Sequence, residues 1–418
     1  MKLDRILQNL YLDHGDFAEG VHIRFLEGTF LTAGISVRPN WHIEGVGIDR
    51  TTIKRVATSL DQRSGSENYS VISGGWAFTP IQGQPVPSEK EYKNIKIEHL
   101  TLDANWSGMR KELGAQVKKT QGLSIVAAEA EIAYVKVIHS GAHGGREVWQ
   151  ETFPIAVGGR GRLLPDEMKA EFANSRIEIH HCVVEGRIEG PERRIRMPYG
   201  TGIMVSQTSK SPNEGDIYAH IHDNLVQDVP NGIGFGGAYM KSALYENNRV
   251  VRCGSGFVFD TGGNSNVKIR NNSFEDCVGG GRIVNASNFS ITSNVFNIVY
   301  DEKGLFSGWN YGLRILDYTS GFEILNNKIR TSEILKKDDA VTGGIVITGR
   351  RIGYLLVPGA MGGLVRLPVR HRIAENEIDA LLPNQADSLG DWIYLSIDGQ
   401  DVDLSGTDII PGNQTFKW

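Results

Sequence analysis

The stretch "HSGAHGG" at 139–145 sets two histidines, His139 and His143, among glycines and a serine. An imidazole titrates near neutrality, so it can take or give a proton, and small neighbours leave it open to a ligand. Glu147 follows in the same loop and Asp260 ends the apolar run "GFVFD"; either carboxylate could partner a histidine, and the Tyr199 phenol could supply a proton. The surrounding loops are cationic. Arg110, Lys111, Lys118 and Lys119 lie in "DANWSGMRKELGAQVKKTQ" (103–121), Arg146 beside the histidines, and Arg193, Arg194 and Arg196 in "GRIEGPERRIRMPYG" (186–200). Guanidinium forks pair with carboxylate or sulfate, so these loops suit an anionic ligand, the alternative being a solvated basic surface. Trp106, Trp149 and Tyr199 add aromatic faces on which a ring can stack.

The elements that must position these groups are legible as a repeat. "NVKIRNNSFEDC" (266–277) is an alternating strand with an asparagine pair inside it, and the same phase returns in "YAHIHDNLVQDV", "SALYENNRVVRC", "NFSITSNVFNIV" and "GFEILNNKIRTS". The repeated asparagine falls at 224, 248, 272, 294 and 327, with steps of 24, 24, 22 and 33 residues. A fixed phase with a tolerant period marks a solenoid whose extra length is absorbed in loops. Each repeat continues with a short second strand and a third strand opened by glycine, as in "GTGIMVS", "GIGFGG", "GFVFD", "GRIVN", "GLRIL" and "GGIVIT". Three short parallel strands per turn predict an all-β, single-stranded right-handed parallel β-helix with inward Val, Ile and Phe. The asparagines then bond from coil to coil and carry no chemistry. Upstream the column is expected to pass through Leu100, Val137 and Cys182, and downstream through Asn376.

Composition narrows the function classes. The chain has 418 residues, 40% hydrophobic and 22% charged, with a formal net charge of -5. No overall basic excess points to nucleic acid, and no apolar stretch approaches the roughly 18 residues of a membrane span. Cys182, Cys253 and Cys277 form no C-x-x-C pair and read as small buried hydrophobes. The N-terminus lacks the apolar core of a signal peptide, so the chain as written reads as cytoplasmic, or as extracellular or virion-borne if a leader was removed or the origin is a phage. Residues 1–20 are expected to form an N-terminal cap containing an amphipathic helix, 21–400 the β-helix, and 401–418 a C-terminal tail or cap.

The opening segment carries a resemblance. "LEGTF" and "IEGVGIDRTTIKR" within 21–56, with "LTLDANW" at 100–106, resemble the start of the pectate-lyase-like right-handed β-helix superfamily. That resemblance implies a substrate groove along the outer face of the third strands, walled by the loops before them. Parity puts Ala156, Met204, Ser206, Gly234, Gly236, Val258 and Asp260 on that face and leaves Arg282, Asn285, Arg314 and Asp317 open. The expected function is an enzyme on an acidic, uronate-containing polysaccharide, acting by β-elimination or C5 epimerisation. His139, His143, Tyr199 and Asp260 are the catalytic candidates. Arg110, Lys118, Arg146, Arg193, Arg194, Arg196, Trp106 and Trp149 are those for binding. The open alternatives are a glycoside hydrolase, a non-enzymatic glycan-binding or tailspike-like β-helix, and an isomerase or cyclase for a small metabolite. No cofactor is implied, Ca2+ is left open without a motif for it, and a homodimer or trimer is compatible with the fold. On the first strands Glu178, His180, His220 and His222 stack outward, a set that reads as solvated polar residues and is assigned no metal. The apolar, Gly-rich insertion at 349–369 reads as a flap or subunit contact.

Overall fold

The computed structural model describes residues 2–13, 20–58, 68–74, 93–142, 151–159, 174–186, 199–207, 216–229, 232–238, 240–261, 264–299, 311–316, 319, 321–331, 343–348, 354–358, 364–368, 371–380, 393–396, 407–409 and 416–417. The right-handed parallel β-helix expected from the repeat and from the resemblance is the fold found. By contacts the chain divides into two units, Met1–Gly232 and Ile233–Trp418.

In the first unit the helix α1 (Lys2–Asp13) buries Leu7 against the first coil, and its Asp4 Oδ1 accepts hydrogen bonds from Thr32 Oγ1 (2.8 Å) and Ala33 N (3.0 Å). Successive coils then pair parallel. Ile23, Ile43, Ile97, Ile132, Ile179 and Ile221 share one inward column on the first strands. Ile35, Ile72, Leu123, Ile155 and Ile203 share another on the third strands. Strands that bury one face read as this alternation, and a slip of one residue would expose the whole set. Between first and second strands the chain turns at a residue with positive φ: His99 (58°), Tyr134 (52°), His181 (54°) and Asp223 (55°). The residue after each of these enters the core, giving a column of Leu100, Val135, Cys182 and Asn224. The position expected at Val137 is therefore Val135, because the turn at Tyr134 shifts the inward phase; Val137 pairs with Leu102 instead.

The second unit repeats the plan with asparagine in that column. Asn272 Oδ1 accepts from the N–H (2.9 Å) and Nδ2 (3.0 Å) of Asn248, while Asn272 Nδ2 donates to Tyr245 O (3.0 Å). Asn294, Asn327 and Asn376 continue the pattern, and all of these asparagines are buried. The amide thus satisfies a backbone donor and a backbone acceptor that the turn removes from the sheet. Phe257, Phe259, Phe274 and Phe296 fill the interior, with Phe274 and Phe296 stacked at 4.8 Å and 7°. In this unit the glycine near the start of the third strands, at 234, 256, 280 and 312, is a packing requirement. A Cβ at Gly280 would meet Gly312 O and the Phe296 ring. The insertion beyond 349 contains an antiparallel hairpin, Tyr354–Pro358 with Leu364–Pro368, and parallel pairing continues past residue 400 at Thr407–Ile409 and Phe416–Lys417.

Cys182, Cys253 and Cys277 are buried and unbridged, and burial pushes the Cys182 and Cys277 thiols up to about 12. Among the described residues, no helix is long and apolar enough to cross a membrane.

Candidate functional site

The strand Ile95–Asp103 ends on a carboxylate that two neighbouring coils approach. Register places Lys54 beside Asp103 on one side and Ile138 on the other. His139 follows at positive φ (55°), and its Nδ1 lies 2.9 Å from Asp103 Oδ1. Lys54 Nζ stands 3.2 Å from Asp103 Oδ2, and the Asn105 N–H donates to Oδ1 at 2.9 Å. Burial acts to raise the Asp103 pKa, but the bonds and charges of His139, Lys54 and the Asn105 N–H outweigh it and hold the carboxyl below the ordinary aspartate value. An ionised carboxylate only accepts, so Nδ1 carries the proton and Nε2 of a neutral ring is the basic nitrogen. The Asp103 side chain is 7% exposed and the His139 side chain 37%, so the carboxylate is inside and the imidazole reaches solvent. This is the arrangement by which a carboxylate orients a histidine general base.

Sequence reasoning found His139 but sought its partner in Glu147 or Asp260. The carboxylate that pairs with it is Asp103, which carried only one signal, a charge at the end of the alternating run "IKIEHLTLD".

Two expected ligand contacts have other work. Trp106 opens the helix α2 (Trp106–Leu113) and is 3% exposed, packed with Tyr69, Met109 and Val117 and pressed against Gly141. Its indole is core and offers no open face. The Arg110 guanidinium donates to Gly114 O (3.2 Å) and Val117 O (3.4 Å) and lies over the Trp106 ring at 5.5 Å, closing the end of that helix. Lys118 is half-buried just before the strand Lys119–Val126, and Lys119 Nζ lies 5.6 Å over the Phe153 ring. His143, Arg146, Trp149, Arg193, Arg194 and Arg196 lie outside the described residues, as does Glu147. Tyr199 opens the strand Tyr199–Gln207 and Asp260 lies in Ser255–Thr261, with their side chains outside the description.

The outer face of the third strands differs between the units. In the first, Ser36, Ser73, Ser124, Ala156 and Met204 stand in register, a row of mostly small residues. In the second, Gly236, Val258, Arg282, Arg314 and Val346 do so. Of the four parities left open in the sequence, two are settled: Arg282 and Arg314 are adjacent on this face, both half-buried, while Asp317 lies outside the described residues. The Arg314 guanidinium carbon lies 5.6 Å from the Tyr311 ring centroid, and its buried Nε has no hydrogen-bond partner among the described residues. Gly234 belongs to the packing and not to a floor, since a Cβ there would strike Val250 and Gly256 O.

No protein-family model and no curated protein matches the chain. Solved structures do. The DFA-IIIase of Arthrobacter chlorophenolicus A6 in complex with GF2 is 12% identical, with a TM-score of 0.53 over 97% of this chain and 87% of that one. A mutant of that enzyme in complex with DFA-III is also 12% identical, with a TM-score of 0.52 over 96% and 89%. The mannuronan C-5 epimerase A-module (AlgE6) of Azotobacter vinelandii is 13% identical, with a TM-score of 0.44 over 98% and 96%. At these identities the likeness is one of fold.

Proposed function

We propose that the protein is an enzyme that removes the C5 proton of a uronate in an acidic polysaccharide, leading to β-elimination or C5 epimerisation. The observation that supports this reading most is the Asp103–His139 pair. A buried carboxylate kept ionised holds the ring so that Nε2 serves as base. The C5 proton passes to Nε2 and its electron pair moves into the carboxylate of the sugar. A cation at that carboxylate stabilises the charge as it develops, the role given to Arg146, Arg194 and Arg196, with Arg193 and Lys118 holding neighbouring units. In elimination the pair then forms the C4–C5 double bond and expels the C4 oxygen, which takes a proton from Tyr199. In epimerisation a proton returns to C5 from the opposite face. His143, Trp149 and Asp260 remain candidates, and the Arg282–Arg314 pair supports an anionic polymer as ligand.

Proton NMR in heavy water, with polyuronates and neutral polysaccharides as substrates, tests the reading. New vinylic signals identify a lyase, and deuterium gained at C5 without chain cleavage identifies an epimerase. His139→Ala is expected to lower turnover by about 10^2- to 10^4-fold, the usual contribution of a positioned general base. Unchanged turnover in that variant rejects His139 as the base, and new reducing ends without vinylic signals assign the fold here to hydrolysis.

A further inference from the structure

The outer face of the first strands in the first unit is dense in imidazoles. On the paired strands Asn174–His180 and Asp216–His222, Glu178 stands beside His220 and His180 beside His222. Glu178 Oε1 lies 3.2 Å from His222 Nε2 and 3.9 Å from His220 Nδ1. The His220 and His222 rings are 4.1 Å apart, and the His180 ring stacks on His222 at 4.9 Å and 5°.

The decisive contact is on the other nitrogen of His222. Its Nδ1 lies 2.8 Å from Asp223 Oδ2. An ionised carboxylate accepts, so Nδ1 carries the hydrogen, and in a neutral ring Nε2 bears a lone pair. That lone pair faces Glu178 Oε1, another acceptor, at 3.2 Å. A metal cation or a second ring proton between them reconciles the two, and the convergence of His220 Nδ1 on the same carboxylate oxygen favours the metal. Zinc bonds of about 2.0–2.1 Å in tetrahedral array put ligand atoms roughly 3.4 Å apart, near the 3.2 Å between His222 and Glu178 and about half an ångström inside the 3.9 Å between His220 and Glu178. A carboxylate on the far nitrogen of a histidine is also the support that ligating imidazoles ordinarily receive.

We propose that Glu178, His220 and His222 bind one divalent zinc-like cation, with Asp223 holding His222 in the ligating tautomer and water completing the coordination. Its ligands come from two successive coils, so the ion clamps one to the next. The neighbouring set His22, His42 and Glu44 also brings three donor atoms together, but lacks this logic. There His22 Nε2 pairs with Glu44 Oε2 and His42 Nε2 with Glu98 Oε1, each at 2.8 Å. Each is an ordinary imidazole–carboxylate hydrogen bond, with no second carboxylate on either ring among the described residues.

Isothermal titration of the EDTA-stripped full chain with zinc chloride in chelator-free buffer tests the site. One equivalent is expected to bind with a Kd in the micromolar range or below. His220→Ala and Glu178→Gln are each expected to weaken binding at least about tenfold, and Asp223→Asn about tenfold with stoichiometry kept. Calcium, which favours all-oxygen shells, gives no saturable heat at these residues. Cobalt in place of zinc gives the visible absorption of a tetrahedral site, absent in His220→Ala. Circular dichroism of the metal-free variants separates loss of ligand from loss of fold. No saturable zinc heat overturns the proposal. So does zinc binding that survives both His220→Ala and Glu178→Gln, including binding lost only in His22→Ala.

Discussion

The Asp103 carboxylate is nearly buried and still sits below the ordinary aspartate pKa, because His139, Lys54 and the Asn105 N–H outweigh its desolvation. The sign of its effect on stability follows. A carboxyl whose folded pKa lies below its unfolded value, about 3.9, stabilises the fold above that value, and the contribution is lost as pH falls through the folded pKa. Asp103→Asn is therefore expected to cost about 1.5–3 kcal/mol near neutrality, the range for hydrogen bonds to a charged group, with the difference from wild type vanishing below the folded pKa. Denaturant melts of both proteins at pH 7 and pH 3 measure it; an equal deficit at both values contradicts the assignment. His139 is visible in the sequence as a titratable group among small residues. Asp103 is not visible as its partner, since the two are 36 residues apart and meet only because adjacent coils pair in register.

At the scale of the element, the turn between first and second strands is where the repeated side-chain bonds from coil to coil are made. Asn294 Oδ1 accepts two bonds from Asn272, and its Nδ2 donates to Ile269 O (2.8 Å) and Asn327 Oδ1 (3.0 Å). Asn294→Ala leaves buried backbone groups unpaired on either side and is expected to cost about 2–4 kcal/mol. Thermal or urea unfolding of the second unit's signals detects it, and a loss below about 0.5 kcal/mol would show that water replaces the amide. The repeated asparagine and the strands around it are legible because the same side chain must make the same bonds in each coil. The upstream phase is harder to read. "EIAYVKV" looks like one unbroken alternating strand, and only the positive φ at Tyr134 shows that the inward phase changes there, placing Val135 in the column.

Over the whole molecule, a net charge of -5 opposes a polyanionic ligand at long range, so binding must rest on local cations. Arg282 and Arg314 are the adjacent pair that register brings to one face. The double variant Arg282→Gln, Arg314→Gln is expected to weaken polyuronate retention about tenfold or more and to flatten its salt dependence, read by affinity electrophoresis across sodium chloride concentrations; unchanged retention removes this face from the binding surface. The sequence by itself determined the fold, because three short alternating apolar strands in each period of about two dozen residues bury their inward side chains by stacking coil on coil. It also determined that the three cysteines are buried, and it singled out His139 as a titratable group among small residues. Only the tertiary structure decided which charges meet. Asp103 with His139 and Arg282 beside Arg314 are pairs made by stacking one coil on the next, at sequence separations that loop lengths set and that no local pattern records, whereas the stacking of Glu178 on His220 was already legible from the phase of the repeat.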